Sequence, residues 1–344
     1  MKALIAEMKL QKDFFQGEKI ETIYFGGGSP SLLEADEIKI LTEHIHNNFY
    51  VDNLLEVTLE ANPDDLTTQK IKALKTTAIN RFSIGVQSFF DEDLIWMNRV
   101  HNSSQADSAI KTAQDAGFEN ITIDLIYGTP TLTDLNWKKN LAKAIDLKVP
   151  HISAYGLTVE EKTPLHKLIA KHQKENVDEI KLESQMMQLM ETLMNKGFEH
   201  YEISNFAKPN HHAIHNTNYW KGKKYLGLGA SAHSYNGNER SWNVSNNNQY
   251  IEAILKGELI AEKEVLTTQE KFNEWLMTGL RTQWGCDLQE GEQKFELNWI
   301  KQLLQEATPY IEQKKIKFDN KKLTLTNKGK LIADKIISDL MMVK

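Results

Sequence analysis

The chain has 344 residues, of which 40% are hydrophobic and 26% are charged, and it carries a formal net charge of −6. This composition is typical of a globular protein and excludes a disordered, collagenous or low-complexity chain. The negative charge argues against a dedicated nucleic-acid binder, and no segment approaches the roughly 20 apolar residues of a transmembrane helix. Since the first eleven residues also lack the features of a secretory leader, we expect a cytoplasmic protein.

Five short segments rich in β-branched and aromatic residues recur at similar spacing in the first half of the chain, and each is typical of a buried strand. They are residues 20–25, 55–59, 81–86, 121–126 and 152–155. Segments with helical periodicity lie between them, at residues 30–49, 67–77, 104–116 and 136–147. Repeated βα units of this kind predict an α/β fold with a parallel sheet covered by helices, either an open doubly wound sheet or a barrel.

The residues that follow each predicted strand distinguish these two folds. Glycine or polar residues follow all five strands instead of one or two of them, and they include Glu60, Gln87 and Asp124. The carboxyl ends of barrel strands converge on one mouth, so special residues are expected after every strand of a barrel. The sequence therefore predicts a barrel or a partial barrel.

The second half of the chain has a different pattern. A predicted helix at 177–196 and a predicted strand at 200–204 precede a segment, 208–248, whose Asn, His, Gly and aromatic residues suggest functional loops. From residue 262 onward, helices, a hairpin at 315–325 and a helix at 327–341 predict a small winged-helix-like domain. The predicted domains are a partial barrel (1–170), a connecting region (171–260) and a C-terminal domain (261–344).

Residues 26–30, Gly-Gly-Gly-Ser-Pro, leave a strand and enter a helix, so their backbone amides can approach a ligand without a Cβ atom in the way. The run matches neither the dinucleotide-binding nor the phosphate-loop pattern, and a structural tight turn explains it equally well. Glu60, Gln87 and Asp124 either cap the helices that follow them or bind the polar groups of a small ligand at the barrel mouth. The residues alone leave both interpretations open.

At these motifs the sequence resembles the oxygen-independent coproporphyrinogen III oxidase-like proteins of the radical-SAM family. The matching barrel motifs are residues 26–30, 59–63, 85–89, 124 with 128–130, and 155–157. Further motifs resemble the HemW heme-chaperone branch of this family. They are residues 201–207, 215–220 (His-Asn-Thr-Asn-Tyr-Trp), 227–230 with 233–234, 240 with 242–243, and 277–281. The resemblance covers essentially the whole chain.

This resemblance implies a partial (β/α)6 TIM-like barrel whose mouth binds S-adenosylmethionine (SAM), followed by a small helical C-terminal domain. The positions that match SAM-binding residues of the family are Gly27, Gly28, Ser29, Glu60, Gln87, Arg99, Asp124 and Gly156. Without the resemblance, Arg99 is better explained as a solvated helix residue.

The sequence departs from the family at the cluster-binding motif. Family members carry Cys-x3-Cys-x2-Cys after the first barrel strand, and its three thiolates hold a [4Fe-4S] cluster. Cys286 is the single cysteine here, and one thiol permits neither this ligand set nor an all-cysteine zinc site. Residues 1–8 align with the helix after the motif, so we expect that the first strand and cluster loop are missing, by truncation or by a start assigned too late. We therefore expect no radical chemistry from this chain, no catalytic residue and no metal site.

His215, Tyr219 and Trp220 are the remaining candidates for chemistry. The resemblance implies that the imidazole of His215 is an axial ligand of heme iron, with the two aromatic side chains packed against the macrocycle. A loop histidine hydrogen-bonded to backbone is the competing explanation, and the two are evenly balanced. A divalent-metal site that adds His211 and His212 is disfavoured, because no acidic residue lies between residues 207 and 238.

Lysines cluster around the predicted C-terminal hairpin, at positions 314, 315, 317, 321, 322, 328 and 330. Because residues 262–344 nevertheless balance to a net charge of only +1, a solvated hairpin is favoured over a nucleic-acid surface. An acidic partner protein and heme propionates are intermediate alternatives.

Together, the resemblance and the missing cysteine motif imply a truncated HemW-like chaperone that binds heme and passes it to an unidentified acceptor protein, with SAM as the family cofactor. One alternative is an oxygen-independent coproporphyrinogen III oxidase-like enzyme of porphyrin biosynthesis, which needs the missing cysteines. Another alternative is an inactive fragment.

Overall fold

The computed structural model describes residues 1–342, and its main feature is a seven-stranded sheet curled into a half-barrel. The strands lie side by side in the order β1-β2-β3-β4-β5-β7-β6. Strands β2 to β5 run parallel, whereas β7 is antiparallel to β5 and β6 is antiparallel to β7. The bounds are β1 (Thr22–Phe25), β2 (Glu56–Ala61), β3 (Arg81–Gln87), β4 (Asn120–Tyr127), β5 (His151–Gly156), β6 (Glu199–Glu202) and β7 (Asn205–Ala207).

Helices connect the parallel strands, and polar side chains fix where several of them begin. The side chain of Asn102 accepts a hydrogen bond from the amide of Gln105 at the start of α5, and the side chain of Gln105 accepts one from the amide of Asn102. The helices of this part are α1 (Lys2–Leu10), α2 (Ala35–Asn48), α3 (Thr68–Leu74), α4 (Asp91–Trp96), α5 (Ser103–Asp115), α6 (Asp134–Asp146), α7 (Pro164–Ala170) and α8 (Glu179–Asn195).

The two faces of the sheet differ in chemistry. On β3, Phe82, Ile84 and Val86 are fully buried, and α5 packs against this strand. Side chains alternate along a strand, so Arg81 and Ser83 lie on the opposite face of β3. Burial of each large apolar side chain contributes about 1.5–3 kcal/mol, which stabilises the sheet against its helices and leaves the polar face for the site.

Two small sheets and further helices follow the half-barrel. One sheet has the antiparallel order β10-β9-β8, and the other has the order β11-β13-β12. The strands are β8 (His233–Tyr235), β9 (Glu239–Asn243), β10 (Ala261–Val265), β11 (Cys286–Asp287), β12 (Ile316–Asp319) and β13 (Lys322–Leu325). The helices are α9 (Ile214–Trp220), α10 (Asn247–Leu255), α11 (Thr268–Leu280), α12 (Leu288–Lys294), α13 (Leu297–Glu312), α14 (Asn327–Lys330) and α15 (Ala333–Leu340).

Contacts between Cα atoms group the chain into two compact units. One unit comprises residues 1–24, 33–57 and 213–344, and the other comprises residues 25–32 and 58–212. The predicted division into domains 1–170, 171–260 and 261–344 stays a prediction, and the last two residues of its third domain lie outside the described residues. None of the helices within residues 1–342 has the length and apolar character needed to cross a lipid bilayer.

The predicted α/β half-barrel with a C-terminal domain of helices and small sheets is confirmed, with three local differences. The predicted strand at 200–204 covers most of β6 and the turn that leads into β7. The carboxylate of Glu202 holds this turn by accepting a hydrogen bond from the amide of Ser204. The predicted loop segment at 208–248 contains α9, β8 and β9, elements too short to show periodicity. The predicted helix at 327–341 is divided into α14 and α15.

Candidate functional site

The candidate site begins with the glycine loop that follows β1. Gly27 and Gly28 have φ values of 74° and 62°, in the left-handed region that residues with a Cβ rarely adopt. The amide of Gly27 donates a 3.1 Å hydrogen bond to Oε2 of Glu60, near the end of β2. A Cβ on either glycine would meet no atom within 4 Å, so backbone conformation, and not lack of space, requires glycine here. The loop thus exposes its backbone to open space.

Hydrogen bonds between side chains join the loops that follow β1 and β2. Ser31, which is buried, donates a 2.6 Å hydrogen bond to the carboxylate of Asp65. Nδ2 of Asn62 donates to the same carboxylate at 3.3 Å. This connection holds the glycine loop beside the end of β2, where Glu60 projects.

Asp124 lies on β4, beside Ser153 of β5, and its carboxyl group lies 3.4 Å from the hydroxyl of Ser83. Burial raises the pKa of Asp124 to about 7, and the charge of Glu60 acts in the same direction, against hydrogen bonds from both serines. Part of the residue remains accessible. Near neutral pH, therefore, Asp124 populates both an acid that donates a hydrogen bond and a carboxylate that accepts one.

Gln87 is the last residue of β3, at its irregular end, and Arg99 follows α4. The register between β3 and β4 shifts between Ile84 and Gln87, and Gln87 has a φ of 65°. Its side-chain nitrogen lies 2.9 Å from where a Cβ on Gly85 would stand, so a larger residue at position 85 would displace the end of this side chain. Arg99 is exposed, and the charged group that acts on its guanidinium is Asp124.

Asp93 connects the loops that follow β3 and β4. Its carboxylate accepts hydrogen bonds from Ser88 at 2.8 Å and from Thr131 at 2.6 Å, and the residue is buried. Because hydrogen bonds to a charged group are stronger than those between neutral groups, this carboxylate holds the two loops in a fixed relation. The sequence patterns gave no signal for this role.

Gln185 of α8 also hydrogen-bonds the loop that follows β4. Its Oε1 accepts a 2.8 Å hydrogen bond from the amide of Gly128, whose φ is 81°. Its Nε2 donates to the carbonyl of Leu132 at 3.2 Å and to Asp134 at 3.1 Å. The side chain is fully buried and uses both ends of its amide, so it fixes the loop over residues 128–134.

The structure brings several of the predicted SAM-binding residues together at this edge of the sheet. Gly27 contacts Glu60, the charge of Glu60 acts on Asp124, and the charge of Asp124 acts on Arg99. Gly28 and Ser29 continue the exposed glycine loop, and Gly156 ends β5 opposite Tyr127 of β4. Gly156 and Gln87 are the last residues of their strands, and Gly28 and Ser29 lie just after the end of β1.

His215 lies in the other unit, at the start of α9. The carboxylate of Glu56 accepts hydrogen bonds from the amides of Ile214 at 2.8 Å and His215 at 3.0 Å. Nδ1 of His215 lies 2.9 Å from the hydroxyl of Thr22, and the imidazole stacks on Tyr24 with ring centroids 4.9 Å apart. Burial lowers the pKa of His215, although the charge of Glu56 opposes this shift. The ring is therefore neutral at pH 7, and its Nε2 forms no hydrogen bond within the described residues.

Two aromatic residues, Tyr219 and Trp220, follow His215 on the same helix, α9, and are partly exposed. Tyr219 is about half exposed, and its ring packs edge-on against Trp220 at 6.2 Å between centroids. Nε1 of Trp220 and Oγ1 of Thr217 are buried and lack a hydrogen-bond partner within residues 1–342. An unsatisfied buried donor costs about 1–3 kcal/mol, a cost that a water molecule or a ligand acceptor group reaching either atom would relieve.

Comparison with known proteins identifies the family. Sequence models match the radical SAM superfamily over residues 3–144 and the HemN C-terminal domain over residues 266–332. A curated heme chaperone HemW from Lactococcus lactis is 33% identical over 332 residues, which covers 95% of this chain and 86% of the relative. The chain belongs to the HemW family. A HemW from Bacillus subtilis is 34% identical over 323 residues and covers 92% of this chain and 84% of its own.

A solved structure supports the fold of this HemW family member. Coproporphyrinogen III oxidase (HemN) from Escherichia coli is described as a radical SAM enzyme, and it superimposes with a TM-score of 0.84. The match covers 99% of this chain and 82% of HemN, at 21% sequence identity. At that identity the likeness shows the shared fold alone.

The single cysteine of this HemW family member lies in surroundings unlike those of a ligand to an iron–sulfur cluster. Cys286 is fully buried, its thiol faces the backbone carbonyl of Leu276 at 3.6 Å, and burial raises its pKa well above the ordinary value. Within residues 1–342, no group of three His, Cys, Asp or Glu side chains is arranged to hold a metal ion. His212, considered for such a site, instead pairs with Glu199 at 2.7 Å. The residues present therefore do not fit a [4Fe-4S] cluster held by three thiolates.

Proposed function

We propose that this chain is a heme-binding chaperone that presents heme to an acceptor protein and binds SAM at the mouth of its half-barrel. The observation that carries the proposal is the neutral imidazole of His215, whose Nδ1 is engaged while its Nε2 stays unengaged within the described residues. The curated relatives are named heme chaperones, which supports the same reading.

The surroundings of His215 suit a heme that must be released again. A neutral imidazole is the form that binds heme iron, and one such ligand is common in heme proteins. The exposed half of Tyr219 offers an aromatic surface to the macrocycle, and the unsatisfied Nε1 of Trp220 offers a donor to an acceptor group of the ligand. A partly open site of this kind favours transfer over permanent burial.

A hemin titration tests the heme site. We expect the unaltered chain to shift the Soret band of hemin, His215→Ala to lose this shift, and His211→Ala to retain it. Circular dichroism of both variants separates loss of a ligand from loss of the fold. An identical Soret shift and affinity in His215→Ala and the unaltered chain would show that His215 is not the ligand.

The residues at the barrel mouth fit SAM. The exposed backbone of the glycine loop leaves space for the ligand, and Glu60 offers a carboxylate to its amino group. Asp124, when ionised, offers an acceptor to the ribose hydroxyls, and Arg99 offers a cation to a carboxylate. SAM bound with an iron–sulfur cluster supplies radical chemistry in the family. Since this chain does not fit such a cluster, we derive no radical step for it.

Calorimetry tests the SAM site. Because a hydrogen bond to a charged group contributes about 1.5–3 kcal/mol, we expect Asp124→Ala to weaken SAM binding roughly 10- to 100-fold. Asp115→Ala is the matched control, since Asp115 is an exposed carboxylate on α5. Equal heats for the unaltered chain and Asp124→Ala would argue against a specific site.

The other expectations from the sequence stay predictions. They are the cytoplasmic location, the absence of nucleic-acid binding, the existence of an acceptor protein and the alternative activity of a coproporphyrinogen III oxidase-like enzyme. No observation within the described residues favours that alternative activity over heme binding.

A further inference from the structure

Three contacts restrain His215, and each acts on a different part of the residue. The hydroxyl of Thr22 engages Nδ1 at 2.9 Å, the ring of Tyr24 stacks on the imidazole with an interplanar angle of 24°, and Glu56 binds the backbone amide at 3.0 Å. Hydrogen bonding of the ring, its tilt and the position of its backbone are therefore each set by a separate side chain. None of the three lies within 150 residues of His215 in sequence.

The contact with Thr22 bears on which ring nitrogen is available, because the hydroxyl either accepts a hydrogen bond from a protonated Nδ1 or donates one to an unprotonated Nδ1. A neutral imidazole carries one proton, and the nitrogen without the proton is the one that binds a metal. If Nδ1 donates its hydrogen to Oγ1 of Thr22, the lone pair lies on Nε2. Ligating histidines commonly donate their other ring N–H to an acceptor in this way, and this bond fixes the tautomer and raises the basicity of the ligating nitrogen.

We infer that Thr22 is a positioning residue, which holds His215 as the Nδ1-protonated tautomer so that Nε2 is the atom offered to the heme iron. The inference rests on the proposed function, because it assigns a role toward the same ligand. Neither the residue type of Thr22 nor its position on β1 indicates this role. Tyr24 and Glu56 limit the motion of the ring but do not select the nitrogen.

The test compares Thr22→Val, which removes the hydroxyl at nearly constant shape, with Thr22→Ser, which retains it. The first readout is the ¹⁵N spectrum of the histidine rings without heme. We expect one tautomer of His215 in the unaltered chain and in Thr22→Ser, and a mixture of tautomers in Thr22→Val. Thr324→Val is the control, because it removes a hydroxyl from a strand, β13, that is remote in sequence from His215.

The second readout is the bond between iron and imidazole after hemin binding and reduction. Loss of an outer hydrogen bond to a ligating histidine typically costs about 10- to 100-fold in affinity, so we expect a loss of that size in Thr22→Val. The iron–imidazole stretching frequency should fall with it, and Thr22→Ser should recover both values. A change in packing alone would not be repaired by the smaller serine.

The outcomes separate the two proposals. If hemin binding depends on His215 but Thr22→Val keeps the tautomer, affinity and stretching frequency of the unaltered chain, the role of Thr22 is refuted and the proposed function stands. If the unaltered chain gives no His215-dependent Soret shift, the proposed function fails and the role of Thr22 fails with it. Should Thr22→Val unfold, the single tautomer expected in Thr22→Ser still decides the matter, since a mixture there would refute the role.

Discussion

Asp124 shows how one enclosed carboxyl group links stability to ligand binding. An aspartate in an unfolded chain has a pKa near 3.8, whereas burial raises the pKa of folded Asp124 to about 7. Between these values the folded protein keeps a proton that the unfolded chain has lost. The stability that this bound proton contributes is fully present below about pH 4. It decreases as the pH rises and is lost above about pH 7. A ligand that donates a hydrogen bond to the carboxylate, or neutralises its charge, recovers part of that loss.

The replacement Asp124→Asn should therefore stabilise the protein in a pH-dependent manner. An amide does not ionise, so we expect the variant to be more stable than the unaltered chain by about 2–4 kcal/mol at pH 8, with the gain shrinking toward pH 4. Urea unfolding at several pH values measures it, with Asp115→Asn as the control. A gain that is the same at pH 5 and pH 8 would contradict the raised pKa.

At the scale of elements, α8 stabilises the loop that follows β4 through the side chain of Gln185, among others. Replacing Gln185 by alanine leaves the amide of Gly128 without its acceptor and opens a cavity beside the loop at 128–134. We expect a loss of about 2–4 kcal/mol in the free energy of unfolding and weaker SAM binding.

Gln188→Ala provides the comparison for this variant. Gln188 lies one turn further along α8, and its Oε1 is buried without a hydrogen-bond partner within the described residues. Its removal breaks no such bond, so we expect a smaller loss of stability and unchanged SAM affinity. Equal effects of the two variants, measured by urea unfolding and calorimetry, would show that Gln185 acts by packing alone.

The parallel strands were predictable because each is short, apolar and closed by glycine or polar residues, as β3 and β4 show. The pairing of β9 with β8 and β10 was not, since three to five residues carry no measurable period and the partners are chosen by tertiary contacts. Among site residues, the glycine loop and Asp124 were visible as motifs. Thr22 and Gln185 were not, because their roles depend on partners 193 and 57 residues away.

At the scale of the whole molecule, the number of thiols limits which iron–sulfur clusters this polypeptide can bind. A chain of these 344 residues offers one thiol, which is fully buried in its native state. We expect anaerobic reconstitution with iron and sulfide to give no stoichiometric [4Fe-4S] cluster, and Cys286→Ser to give the same background. Near-stoichiometric cluster in the monomer, with 5′-deoxyadenosine released on reduction, would contradict this.

The contact between Thr22 and His215 spans 193 residues of sequence, and the bonds from α9 to Glu56 span 158 and 159. Contacts of such separation form late, because the entropy of closing a long loop must be overcome first. During synthesis, residues 22–56 leave the ribosome well before residue 215 exists, so the imidazole acquires its orientation only after more than half of the chain has been made. Hemin added at timed intervals to a refolding sample should show histidine ligation appearing with the slowest folding phase. The proposed heme site therefore forms only once residues 22–56 and residues 214–215 have come together, and a chain that ends before them carries no oriented imidazole with which to capture heme.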